Sequence, residues 1–156
     1  MSNSNKNLIL GIMRQQGRAD ALDLRGRAKG MDGTGIIAEE TKIPAFDPQK
    51  DYSKWPAGSP VADEGQIWTL LQPYNAAHYT GRPSGLRALW GLCHTKDPKR
   101  AKEWITPYGT SGLYAVDECC VDAGRVWRNT HAYNEFAPSA LPERWADLGS
   151  VEEVQN

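Results

Sequence analysis

Residues 65–90 read GQIWTLLQPYNAAHYTGRPSGLRALW, and residues 124–145 read GRVWRNTHAYNEFAPSALPERW. Aligned, Gly65, Trp68, Tyr74, Asn75, Pro83, Ser84 and Trp90 meet Gly124, Trp127, Tyr133, Asn134, Pro138, Ser139 and Trp145, with Ile67 over Val126. The offset is 59 positions as far as the Tyr-Asn pair and 55 from the Pro-Ser pair onward, so one four-residue length change separates the copies. An internal repeat constrains architecture more strongly than local propensity does, because each copy has to bury the same positions. The sequence predicts two copies of one small module.

Each copy opens with the same local grammar. Val61-Ala62, then Asp63-Glu64-Gly65, then Gln66-Ile67-Trp68-Thr69-Leu70-Leu71 is a strand, a tight turn with a glycine for positive φ, and a strand of β-branched and aromatic residues. Cys120-Val121, Asp122-Ala123-Gly124 and Arg125-Val126-Trp127-Arg128 repeat it. A Pro-containing loop follows each hairpin and ends at Trp90 or Trp145, after which Gly91-Leu92 or Ala146-Asp147-Leu148 could close the sheet as a third strand. The fold class read from this is mainly β: two small tandem β modules with Trp-centred cores behind a short helical or extended N-terminal anchor.

Outward from the repeat, the chain divides into an anchor at 1–45, a first module at 46–93, a linker at 94–107, a second module at 108–149 and a tail at 150–156. Residues 1–6 are polar and read as a frayed end. From Asn7, the positions Leu8, Ile9, Ile12, Met13, Ala19, Leu22 and Leu24 fall near i, i+3 and i+4 spacing but are interrupted by Gly11, Gly17 and Gly26, which predicts a marginal helix or two short ones. Such a helix has to pack its apolar stripe on the lobes, on sister copies or on a larger assembly. Asp32-Gly33 reads as a turn, with Ile36-Ile37 as an edge strand after it, and residues 46–60 read as an extended connector. In the linker, Asp97 and Pro98 are an N-cap and a first helical residue, predicting one or two turns that act as a spacer. PYGTSG at 107–112 reads as a loop.

Composition supports thin aromatic cores. A module of about 45 residues buries too little surface to be secure without extra support. Three Cys in 156 residues give neither an even disulfide framework nor a zinc-type CxxC pair. Six Trp and six Tyr, clustered after residue 50, supply large buried area per residue instead. The net charge of −1 gives no global field for nucleic acid or an anionic membrane, and no apolar run approaches the roughly 18 residues of a membrane span. A reducing cytosol as the place of synthesis fits the cysteine pattern.

Catalytic constellations are thin. His78, His94 and His131 are dispersed, and HExxH, GxSxG, Walker and GxGxxG motifs are absent, so no catalytic residue, metal ligand or cofactor is assigned. Cys119 and Cys120, adjacent in a strand, are expected to place one thiol inward and one outward. The aromatic loops are the chemically suggestive feature. A pyranose ring offers a face of C–H groups that packs on an aromatic ring, and rim hydroxyls that seek amide or carboxylate partners. Loops 72–84 and 131–139 supply both: Gln72, Tyr74, Asn75 and Tyr79 in the first, Tyr133, Asn134 and Phe136 in the second. Trp68, Trp90, Trp127 and Trp145, in the regular part of the repeat, read as core.

These residues resemble a family. Leu71-Gln72-Pro73-Tyr74 after Trp68, a variable loop with an aromatic ring, and Pro138-Ser139-Ala140-Leu141-Pro142-Glu143-Arg144-Trp145 are similar to the chitin-binding modules of carbohydrate-binding family 5/12. Two departures stand out: Arg87 where the second Pro is expected, and Thr130-His131-Ala132 in place of Leu-Gln-Pro. In the family the sugar-stacking ring lies two residues before Pro-Ser, which is Phe136 in the second module and Gly81 in the first, where Tyr79 is the nearest ring. The resemblance implies a non-catalytic protein that presents Tyr74, Tyr79, Tyr133, Phe136, Gln72, Asn75 and Asn134 to a cell-surface polysaccharide. Two such modules behind a helical N-terminus look like a tailed-phage virion accessory protein: a head-fibre, decoration or tail component, made in the host bacterial cytoplasm. Residues 1–45 would then join virion proteins or sister subunits in a homo-oligomer, with no nucleic-acid or membrane partner. A purely structural virion protein whose modules have lost the sugar is the alternative.

Overall fold

The computed structural model describes residues 3–156. Helix α1 spans Asn3–Ala28 and α2 Gly33–Ala38. Strands β1 (Pro60–Asp63), β2 (Gln66–Leu70) and β3 (Trp90–Leu92) form one antiparallel sheet in sequence order. Strands β4 (Lys102–Glu103), β5 (Cys119–Asp122), β6 (Arg125–Asn129) and β7 (Trp145–Ser150) form a second sheet, in which β4 pairs parallel to β5, and α3 (Val151–Gln155) follows. Two sheets and an N-terminal helix are therefore present, but 33% of residues are helical against 24% in strands, so the expectation of a mainly β chain is too narrow.

Both predicted hairpins form, with matching geometry. Glu64 and Gly65 sit at φ 53° and 74°, Ala123 and Gly124 at 52° and 75°. Positive φ at both central residues is the turn that matches strand twist, and glycine at the second position takes it without strain. Register matches as well: Val61 faces Trp68 in one sheet, and Cys120 faces Trp127 in the other. Each inner Trp indole then reaches back over its turn, Trp68 Nε1 donating to the Asp63 carbonyl at 3.3 Å and Trp127 Nε1 to that of Asp122 at 3.2 Å. The four repeat tryptophans pack inward, Trp68 and Trp90 completely and Trp127 partly. A fully buried indole removes roughly 200 Å² from water, worth about 5 kcal/mol in transfer free energy, which is how lobes this small acquire cores. Around Trp90, the rings of Phe46, Tyr52 and Tyr74 meet edge-on at 5.3–6.0 Å.

Several segments differ from the sequence reading. The N-terminal segment is a single long helix. At Gly11, Gly17 and Gly26 an added Cβ would meet nothing within 4 Å, so these glycines weaken the helix without marking a break in it. Met1 and Ser2, part of the expected frayed end, lie outside the described residues. Ile36-Ile37 is not an edge strand: Asp32 caps α2 by accepting from the Gly35 amide at 2.8 Å, and both isoleucines are buried with Leu24, Ala28, Ile43, Ile67 and Cys93. Gly33 has to be glycine, because a Cβ there would lie 2.1 Å from the His94 carbonyl oxygen.

Residues 24–45 thus belong to the body, and only the earlier turns of α1 stand away from it. The linker is likewise structural. Its expected turn appears as a 3-10 helix, Pro98–Arg100, with Asp97 accepting from the Lys99 amide. The chain then adds β4 to the second sheet, and Thr95 bridges to Cys119. Glu40 reaches across to Arg100 at 3.0 Å and Lys102 at 2.6 Å, which ties the N-terminal segment to the second sheet. The tail forms α3, whose Val151 and Val154 cover Val121 and Val126. Cys119 and Cys120 are both buried, not one in and one out, because different clusters cover the two faces of β5: Ala101 and Val126 on one, Tyr114 and Trp145 on the other.

Candidate functional site

The two lobes diverge at one buried position. Leu70 at the end of β2 is apolar, whereas its repeat counterpart Asn129 at the end of β6 is fully buried and polar. Buried amides have to be satisfied, and Asn129 is: its Nδ2 donates to the carbonyls of Tyr114 at 3.0 Å and Ala115 at 2.9 Å, and its Oδ1 accepts from Asn134 Nδ2 at 2.8 Å and the His131 amide at 3.2 Å. Asn134 is thereby drawn fully inside, and its backbone pairs with Tyr114 in both directions at 3.0 Å.

The preceding tyrosine feels the consequence. Tyr74 is buried in the first lobe, where its hydroxyl accepts from Trp90 Nε1 at 2.7 Å and burial pushes its pKa up. Tyr133 is 81% exposed with φ 54°, a left-handed conformation unusual for an aromatic residue. Trp145 Nε1, lacking that tyrosine, donates instead to the Phe136 carbonyl at 3.0 Å.

The predicted glycan residues separate accordingly. Tyr74 and Asn134 are corrected: both lie in the interior and hold the loops, so neither can meet a polysaccharide. Asn75 is half-buried and its Oδ1 accepts from the Ala77 amide at 3.1 Å; Asn134 Oδ1 does the same for Phe136 at 3.0 Å. The repeated Asn is therefore an Asx turn that starts each loop. Phe136 is 40% exposed, but the Arg144 guanidinium lies 5.5 Å from its ring centre and partly occupies that face.

Gln72 and Tyr79 are brought together. With Leu86, Leu89 and Tyr108 they line an open cleft of about 640 Å³ on the first lobe. Tyr79 is 51% exposed and braced edge-on against buried Tyr74 at 5.1 Å. Gln72 Nε2 donates to the Ala88 carbonyl at 3.1 Å, which fixes its amide beside the cleft.

Tyr108, 62% exposed, was not singled out in the sequence. An aromatic ring between Pro107 and Gly109 in a polar loop was the available signal. That loop is folded by reciprocal amide-carbonyl bonds between Tyr108 and Ser111, both 2.9 Å, with Gly109 at φ 57°. The same loop continues into a second cleft of about 420 Å³, lined by Thr110, Leu113, Tyr114, Ala132 and Tyr133. Tyr79 and Tyr108 of one cleft and Tyr133 of the other therefore flank one connecting loop.

A third cleft, about 580 Å³, lies between α1 and the connector and is lined by Arg14, Arg18, Arg25, Lys50 and Trp55. The Arg25 guanidinium sits 4.0 Å above the Trp55 ring, and Lys50 Nζ 5.4 Å from it, so protein cations already engage this aromatic face.

Beneath the loop, His94 ties the lobes together. Its ring stacks on Tyr114 at 3.7 Å, and Nε2 lies 2.8 Å from the Gly112 carbonyl, an acceptor that requires the proton on Nε2. Burial pulls its pKa down to about 4. Arg87 places its guanidinium 5.1 Å from the Trp68 ring and donates to the Thr106 carbonyl at 3.1 Å. Among the described residues no group of three or more His, Cys, Asp or Glu could hold a metal ion, and no helix is long and apolar enough to cross a membrane. Comparison with family models, curated proteins and solved structures gives no match.

Proposed function

We propose that this chain is a non-catalytic adhesion protein whose two lobes are copies of a carbohydrate-binding module and whose exposed tyrosines engage a cell-surface polysaccharide. What supports the reading best is the placement of Tyr79 and Tyr108, rings from distant segments, on one open cleft with the oriented Gln72 amide. An extended sugar chain needs such spaced rings, with polar groups beside them and little enclosure. Each contact is weak, and repetition on a particle would raise avidity through effective concentration. The placement on a phage virion, with α1 as the attachment segment, rests on the resemblance of the repeat and on the apolar residues that α1 leaves exposed.

Retention of the full chain on insoluble chitin and on bacterial cell wall tests the site. Tyr79→Ala or Tyr108→Ala lowers retention about tenfold, a loss of about 1.4 kcal/mol, and the double variant lowers it further. Equal retention of the double variant and the native chain would sink the assignment. A structural protein without sugar binding is the second reading, and it draws on the partly covered Phe136 ring at the family's stacking position. It predicts background retention for the native chain as well.

A further inference from the structure

Helix α1 carries a line of exposed positions, apolar at Leu8, Ile12, Ala19 and Leu22, that the body does not use. Leu8, Ile12, Gln15, Ala19, Leu22 and Gly26 are spaced by four, three, four, three and four residues, and all six are exposed. Leu8, Ile12 and Leu22 are 64%, 56% and 63% exposed. At about 100° per residue this line runs along the side of the helix opposite Leu24 and Ala28, the positions that enter the core. It extends for about 27 Å and points away from both sheets. Helix α1 has three glycines along its length and no core contact among Leu8 to Gln16, and an isolated helix of that kind is marginal in water. Burying the stripe would supply the missing stability.

We infer that α1 self-associates as a parallel coiled coil between copies of this chain. Alternating three- and four-residue spacing is the seam of such a coil, with Ile12, Ala19 and Gly26 at the a positions and Leu8, Gln15 and Leu22 at d. The flanking charges decide orientation. Arg18 falls at g and Asp23 at e, and in a parallel pair g faces the e of the next heptad, so Arg18 meets the partner's Asp23 twice by symmetry. An antiparallel pair would turn Arg18 toward the partner's g side and away from Asp23; Arg25, at the next g, is held on Trp55 of its own chain. Within its own chain Arg18 makes no hydrogen bond or ion pair among the described residues, while Asp23 is 60% exposed and pairs through one carboxylate oxygen with Arg27 at 2.8 Å, which leaves its other oxygen for a partner's cation. Leu24 and Ala28, which join α1 to the body, lie on the opposite side of the helix from this seam.

This inference rests on the reading of α1 as the attachment segment, and it is tested separately from sugar binding. Sedimentation of the full chain over about a hundredfold range of concentration should give a dimer or higher assembly. Ile12→Asp should weaken association at least tenfold while tryptophan fluorescence stays native, because Ile12 touches no core residue. Chains carrying Arg18→Asp and chains carrying Asp23→Arg should each associate poorly alone and recover when mixed, because in parallel register each unlike pair is then complementary. A native chain that is monomeric throughout, association indifferent to Ile12→Asp, or a mixture no better than its components would each overturn the inference. None of these results bears on retention by chitin, which reads the lobes.

Discussion

Acidification should loosen the junction between the lobes through one residue, His94. In the folded chain the neutral ring is stacked on Tyr114, donates to the Gly112 carbonyl and holds a pKa of about 4; unfolded, it returns to the ordinary 6.5. The folded value is the lower one, so the stabilising contribution is complete above 6.5 and is lost as pH falls towards 4, because the unfolded chain takes up the proton first. The gap corresponds to about 3 kcal/mol at its limit, and about 2 kcal/mol of it falls between pH 7 and pH 5. Glu118, whose carboxyl burial pushes up from the ordinary 4.5, acts in the opposite sense above that value, so the His94 contribution is read by comparing the native chain with a His94 variant over the same pH range. Urea unfolding followed by tryptophan fluorescence at the two pH values gives the difference. His94→Gln removes the titration, so the variant should lose most of this pH dependence even if its overall stability drops. A variant as pH-sensitive as the native chain, or a His94 titration by NMR near 6.5 in the folded state, would refute the reasoning.

Asn129→Ala should cost about 2–3 kcal/mol in urea unfolding, because it strips the partner from the buried Asn134 side-chain amide and from the His131 backbone amide, while the Tyr114 and Ala115 carbonyls keep the amides of Asn134 and Glu118; a loss below about 1 kcal/mol would show that the network is replaceable. All three cysteines are buried, with Cys93 pushed up to about 12 and Cys119 and Cys120 also raised by burial. A disulfide reagent at mildly alkaline pH should therefore modify them at least ~10³-fold more slowly in the folded chain than in urea, and one thiol reacting at the unfolded rate would contradict the burial of β5 or of Cys93 against Ile36 and Ile37.

Turn chemistry and strand alternation act over a few residues, so both hairpins, their glycines and the inward tryptophans were legible in the sequence, as were the Asp97-Pro98 turn and the closing strands. The roles of α2 and of residues 94–107 were not. Ile36-Ile37 is too short a run to reveal its period, and whether it is a strand or a helix is settled by the apolar face of Ile67 and Cys93 that it covers. Likewise, β4 is two residues long and exists through its bonds to β5, some 18 positions further on.

The tyrosine of the repeat divides what each level of organisation determines. Tyr74-Asn75 and Tyr133-Asn134 are the same dipeptide, and in both copies the Asn forms an Asx turn, a local bond that sequence alone dictates. Which way the ring points is decided elsewhere. Beside Leu70 the ring enters the core and meets Trp90; near Asn129, an amide that has to be satisfied takes Asn134 inward and turns Tyr133 out to solvent. Tyr108 likewise acquires its place beside Tyr79 only when the 107–112 loop folds across the junction. Sequence set the loops and their turn chemistry; burial, which adds up contacts from distant segments, chose which aromatic rings were left facing water.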